Sequence, residues 1–346
     1  MVFQSVMWCS LERKRIVTRL VALVTRWKQF LQRREPHINT IVQERQQKPG
    51  QPAQVCTPLS SHLPIEEQET QTCKAVIPVH NEEIVPLIFV RDLEKTYQDS
   101  VIARPALAGL SLEVEQGEFV VVTGPSGVGK STLLHILGCM LQPSAGFYCL
   151  AGSMISLFPV DKLATLRNQR IGFISRESAL LPHVSALKNV ALPLLYAGFP
   201  EAEQKRRAQK ALQFMGLSSR LLSTPEHLSP GQQQRVAIAR ALVNSPALLF
   251  ADEPIGDMDT RSGREIMAVL QALNRRNLTI VMATQNVELA VYAKRHIILH
   301  DGRIASDTPV SDMRIALDEL AQTASIVPVV EDKGTRTSVQ IEEETV

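Results

Sequence analysis

The run GPSGVGKST, Gly124 to Thr132, restricts the local fold more than any other stretch of this chain. Closely spaced glycines followed by Lys-Ser-Thr make a turn whose backbone N–H groups converge, and such a turn works only between an incoming strand and an outgoing helix. The flanks comply. FVVVT, Phe119 to Thr123, is an apolar run of buried-strand type, and Lys130 to Met140 has helix-compatible residues and no proline. Strand, loop and helix in that order set the positive end of the helix against the loop, where phosphate is attracted. Lys130 would reach the β and γ phosphates, Ser131 would offer its hydroxyl to Mg²⁺ and Thr132 would bind a nearer phosphate. Gly124, Pro125, Ser126, Gly127, Val128 and Gly129 would supply the backbone cradle.

The second element is ALLFADEP, Ala247 to Pro254, an apolar strand that ends in adjacent carboxylates. At a strand mouth Asp252 would hold the Mg²⁺ shell, and Glu253 would polarise an attacking water. Asp-Glu after apolar residues is commonly just a surface turn, and gains meaning only downstream of GPSGVGKST. Further runs at Leu87 to Arg91, Leu107 to Val114, Ile171 to Ile174, Thr279 to Ala283 and His296 to Leu299 read as strands, several alternating with helices. Leu187 to Leu222 is helical in pattern and carries the charged stretch Glu201 to Lys210, a helical insertion with a solvated face. The fold class is α/β, a phosphate-loop NTPase core with a helical subdomain at about 175–240.

Composition narrows the partners. With 45% hydrophobic and 21% charged residues among 346, the chain can bury a sizeable core. A net charge of +2 creates no field toward nucleic acid, and no nucleic-acid partner is expected. Cys9, Cys56, Cys73, Cys139 and Cys149 lack the spacing of a zinc site or a disulfide framework. No run of about eighteen apolar residues is present, so in a membrane system a partner would do the spanning. The N-terminal apolar stretch is interrupted by Arg19 and Arg26 and does not read as a secretory signal. Between Leu11 and Arg34, Ile16, Leu20, Leu23, Trp27 and Phe30 recur at helical spacing among basic residues. This segment either lies on an anionic membrane surface or packs on a partner or the main domain. The expected organisation is a basic helical extension at 1–42, a flexible linker at 43–85, the domain at 86–307 and a tail at 308–346 that ends near Glu342, Glu343 and Glu344.

LSPGQQQRVAIARAL, Leu228 to Leu242, resembles the LSGGQ signature of ATP-binding cassette proteins, with its trailing helix present in full. Together with the other motifs the resemblance spans roughly Leu87 to Ile304. GPSGVGKSTLLHILGCMLQPSAG, LRNQRIGF, LLPHVSALKNVALPLLYAG and FADEPIGDMD look most like the lipoprotein-releasing and macrolide-export cassettes. The resemblance implies an ATPase core of the ABC type with an antiparallel β subdomain and a helical signature subdomain. It implies ATP and Mg²⁺ as ligands and a transmembrane permease as partner, on the cytoplasmic side of the membrane. It also implies a head-to-tail dimer, with itself or with a second cassette, in which Ser229, Pro230, Gly231 and Gln232 face the other subunit's phosphates. By the same resemblance Tyr97 stacks on adenine and Asp259 belongs to the loop that contacts the opposite subunit.

Around the γ-phosphate the chain departs from that family's pattern. Arg176 stands where the family has a glutamine, Gln285 replaces the switch histidine, and Pro230 replaces the first signature glycine. A guanidinium cannot ligate Mg²⁺, though it can pair with phosphate oxygens or turn to solvent or to a partner. An amide donates a hydrogen bond yet cannot relay a proton as imidazole does. Proline removes one N–H. Firm MgATP binding with slow hydrolysis is the expectation. The alternatives are a regulatory or scaffolding ATP-binding subunit, or the degenerate half of a heterodimeric pair.

Overall fold

The computed structural model describes residues 86–97, 104–256 and 258–325. The basic segment 11–34, the linker 43–85 and the acidic end 342–344 lie outside the described residues.

A six-stranded sheet carries the fold. Its strands are β3 (Phe119–Thr123), β6 (Ile171–Ile174), β7 (Leu248–Asp252), β8 (Thr279–Thr284), β9 (Arg295–His300) and β10 (Arg303–Pro309), in the order β10-β9-β3-β8-β7-β6. All neighbours pair in parallel except β9 with β10, which form an antiparallel edge. Strands β3, β7 and β8 are buried along their whole length, which is why they read as continuous apolar runs rather than alternating ones.

Alternation still decides which core each residue enters. Val121, Leu249, Ala251, Ile280 and Met282 point to one face, while Val120, Val122, Leu248, Phe250, Val281 and Ala283 point to the other. The first face is covered by helices α3 (Ala186–Tyr196), α4 (Glu201–Phe214), α5 (Pro230–Leu242) and α6 (Thr260–Asn274). The second buries α1 (Lys130–Leu137) and one residue of α2 (Val160–Arg170), Leu163. It also receives a four-stranded antiparallel sheet, order β2-β1-β4-β5, built from β1 (Ile88–Tyr97), β2 (Arg104–Val114), β4 (Ala145–Leu150) and β5 (Ser153–Met154).

The helical segment shares its core with the sheet, because Val190, Leu194, Leu212 and Val236 belong to the same buried cluster as Leu249 and Ile280. Polar side chains tie it down as well. Gln234 of α5 donates to the Ser175 carbonyl (3.3 Å), and Arg240 donates to the carbonyls of Ser178 and Ala179 (2.9 and 2.8 Å). These bonds hold the loop after β6 to the signature helix.

The expected tail at 308–346 is corrected over its first part. Strand β10 runs to Pro309, and α7 (Ala316–Ser325) packs on α6. The Gln271 side chain donates to the carbonyls of Tyr292 and Arg314 and accepts from the Ala316 N–H, while the Tyr292 hydroxyl donates to Glu319 at 2.6 Å. A short amphipathic helix such as α7 is marginal alone and gains its stability from that docking. The four-stranded sheet is the expected antiparallel subdomain, although no run was read in the sequence for its strands β4 and β5 or for the edge strand β10. Strand β1 also runs beyond Arg91 to Tyr97, through register shifts near Asp92 that break its alternation.

Candidate nucleotide site

Strand β3 delivers the chain to a loop that only glycine can trace. Gly124 and Gly129 have φ of 153° and 105°, and a Cβ there would meet the Leu299 carbonyl oxygen at 2.4 Å and the Ala106 carbonyl oxygen at 2.2 Å. Gly129 is the N-cap of α1, whose first-turn N–H groups have no acceptor four residues back within the helix. Pro125, Ser126 and Gly127 are exposed, and Val128 is buried against the second core.

Lys130, only 6% exposed, donates from Nζ to the carbonyls of Gly124 and Pro125, each at 2.8 Å. Burial pushes its ammonium below the ordinary lysine value, and the charges of Glu253 and Asp252 push it back up. Ser131 is exposed beside Lys130, and the Thr132 hydroxyl lies 3.3 Å from the Tyr97 hydroxyl. That contact brings the end of β1 over the start of α1. The Lys95 ammonium sits 5.5 Å from the Tyr97 ring centre.

At the end of β7, Asp252 is buried and its Oδ1 has no hydrogen-bond partner among the described residues. An orphaned carboxylate oxygen of this kind suits a hard divalent cation. Glu253 adopts a left-handed backbone, φ 46°, and its N–H donates to the Ala283 carbonyl at 2.9 Å. Its Oε2 accepts from the Thr284 hydroxyl at 2.9 Å and its Oε1 from the Gln285 main-chain N–H at 2.7 Å. The contact of Gln285 with the carboxylate is thus through its backbone, and its side chain is exposed.

Arg176 is exposed in the loop after β6, with its Cγ 4.0 Å from the point a Cβ on Gly256 would occupy. Its stem therefore lies against the loop that follows Glu253. In the signature, Ser229 caps α5 and Pro230 takes its first position. The Ser229 hydroxyl accepts from the Gln232 N–H at 3.3 Å, and the Ser229 N–H donates to the Gln232 side chain at 3.0 Å. At that position proline gives up an N–H with no intrahelical role, and its fixed φ suits the helix, so Pro230 fits this backbone. Gly231 faces Ser262 of α6, whose hydroxyl oxygen would lie 3.6 Å from an added Cβ. Asp259 caps α6 by accepting from the Ser262 N–H at 2.9 Å, and bonds from the Ser262 side chain and backbone hold its carboxyl below the ordinary value. Among the described residues no hydrogen bond or ion pair joins Ser229–Gln232 to Gly124–Thr132.

Sequence reasoning missed Thr284. Its one available signal was its place at the carboxyl end of a strand, immediately before Gln285.

A family model described as ABC transporter matches residues 107–256. An uncharacterized ABC transporter ATP-binding protein of Thermotoga maritima is 46% identical over 213 residues, which cover 62% of this chain and 91% of that one. The chain belongs to the ABC transporter ATP-binding family. This cassette is also 43% identical over 218 residues to the uncharacterized ABC transporter ATP-binding protein YknY of Bacillus subtilis, covering 63% of this chain and 95% of YknY. A macrolide export ATP-binding/permease protein, MacB of Marinobacter nauticus, is 44% identical over 223 residues, and there the cassette spans 35% of the relative's length. Among solved structures, the dimeric ATP-binding cassette MJ0796 in a post-hydrolysis state with ADP and Pi superposes with a TM-score of 0.62 at 35% identity, covering 64% of this chain and 98% of that one. The α/β fold with its antiparallel and helical parts is that of an ABC ATPase.

Proposed function

We propose that this cassette binds MgATP on Gly124–Thr132 and hydrolyses it slowly, driving a separately encoded permease for export from the cytoplasmic side of a membrane. The observation that carries the reading is a glycine-traced loop closed by buried Lys130 onto the Gly124 and Pro125 carbonyls, with an oxygen of buried Asp252 at the end of β7 left for a cation. In the reaction the α1 terminus and Lys130 would bind the phosphates, and Tyr97 would lie against the base. Asp252 and Ser131 would hold Mg²⁺, which when bound neutralises charge on the β and γ oxygens. Glu253 would orient the attacking water or take its proton.

Dimerisation follows from the same layout. Among the described residues no hydrogen bond or ion pair joins the signature to the phosphate loop of its own chain, and Ser229, Gly231 and Gln232 would serve a loop on another cassette, with Asp259 at the contact. MJ0796, which is dimeric with ADP and Pi, supports that arrangement, and the fused permease of the macrolide export relatives supports a membrane partner. Slow turnover is assigned to Arg176 and Gln285, neither of which provides the family's side chain.

The test is phosphate release by the full-length chain at saturating MgATP. Tight binding with turnover below about 1 s⁻¹ is expected. Binding with no release at all would instead favour a regulatory subunit, and ordinary turnover would show the substitutions at 176 and 285 to be harmless.

A further inference from the structure

We propose that Thr284 is a positioning residue for Glu253, orienting its carboxylate in a chain where position 285 has no imidazole to act there; this rests on the hydrolytic reading above. Thr284 is the last residue of β8 and is 1% exposed. Its hydroxyl oxygen accepts from the Asn286 N–H at 3.1 Å and its proton goes to Glu253 Oε2 at 2.9 Å. With the oxygen already engaged by a donor, the hydroxyl proton is aimed at the carboxylate.

The other Glu253 oxygen takes the Gln285 N–H at 2.7 Å, and the Glu253 N–H is fixed to the Ala283 carbonyl at 2.9 Å. Three successive residues of β8 and its exit therefore hold both ends of one glutamate, whose left-handed φ of 46° turns it toward that strand. A carboxylate held at both oxygens has its plane set before any water arrives. Orientation is part of what a general base contributes, and a small misplacement is costly. The main-chain donor at 285 survives every side-chain substitution there except proline. The hydroxyl at 284 is the part of the arrangement that a point mutation can remove.

Thr284→Val preserves shape and β-branching and replaces the hydroxyl by a methyl, removing both the donor to Glu253 and the acceptor of the Asn286 N–H, whereas Thr284→Ser keeps both. In the full-length protein T284V is expected to lower kcat for phosphate release about tenfold with KM for ATP within about twofold, and T284S to recover most of the rate. A fall in T284S equal to that in T284V, a parallel rise in KM, or an unchanged kcat in T284V would overturn the assignment. Should the wild-type chain release no phosphate, the hydrolytic reading fails on its own, and the contact is still tested by a T284V and E253A double-mutant cycle in urea unfolding. A coupling of about fivefold in the unfolding equilibrium constant is expected, and strictly additive effects would overturn it.

Discussion

The phosphate loop and the rim formed by Glu253, Thr284 and Gln285 sit on neighbouring strands and are made in opposite ways. In the loop, Lys130 closes onto carbonyls five and six residues away, and the glycines that permit the turn belong to the same motif. At the rim, Glu253 meets donors 31 and 32 residues along the chain. Those contacts exist because Asp252 pairs with Ala283, and because Thr284 stands beside Thr123 in the next ladder. In the proposed function, the locally built half would hold phosphate and the half assembled by strand register would orient the water. Affinity and turnover should therefore respond separately to mutation.

The sharpest way to break this contrast is Lys130→Ala. Loss of the buried cation should weaken ATP binding by about 2 to 3 kcal/mol, roughly a hundredfold, in titration calorimetry. Binding within about threefold of wild type would mean that the loop does not carry the affinity. Next in size is the pair Arg176→Gln and Gln285→His, which should raise phosphate release about tenfold while leaving ATP affinity within about threefold. If affinity rises as much as turnover, the two halves are not separable. The smallest effect is structural. Ser229→Ala removes the cap of α5 and should cost about 1 kcal/mol in urea unfolding, without altering ATP affinity of the dilute monomer if, as proposed, the signature serves another chain. A loss of monomer affinity would contradict that division.

The same contrast explains what could be read ahead of the structure. Strands β3, β7 and β8 were visible as apolar runs because both faces of the sheet are covered and every residue is buried. The α1 helix and its loop followed from the glycine spacing, the Lys-Ser-Thr that ends it and the proline-free run after it. Strand β4 was not visible, since its sequence AGFYCL begins with small and exposed residues and is made a strand by pairing with β1. Helix α7 escaped for a similar reason, because its support comes from Gln271, Tyr292 and Arg264. The loop carrying Arg176 was identified by position, but its attachment to α5 through Gln234 and Arg240 depends on packing between segments about 60 residues apart.

Residue order alone set the phosphate loop, the carboxylates of β7, the capped signature helix and the odd residues at 176, 230 and 285, because each is a short-range pattern with its own geometry. Tertiary structure decided where Glu253 points, that Gln285 reaches it through the main chain, and that Thr284 takes part. Those facts depend on which strands lie side by side and in what register, a matter of long-range packing that no short motif records.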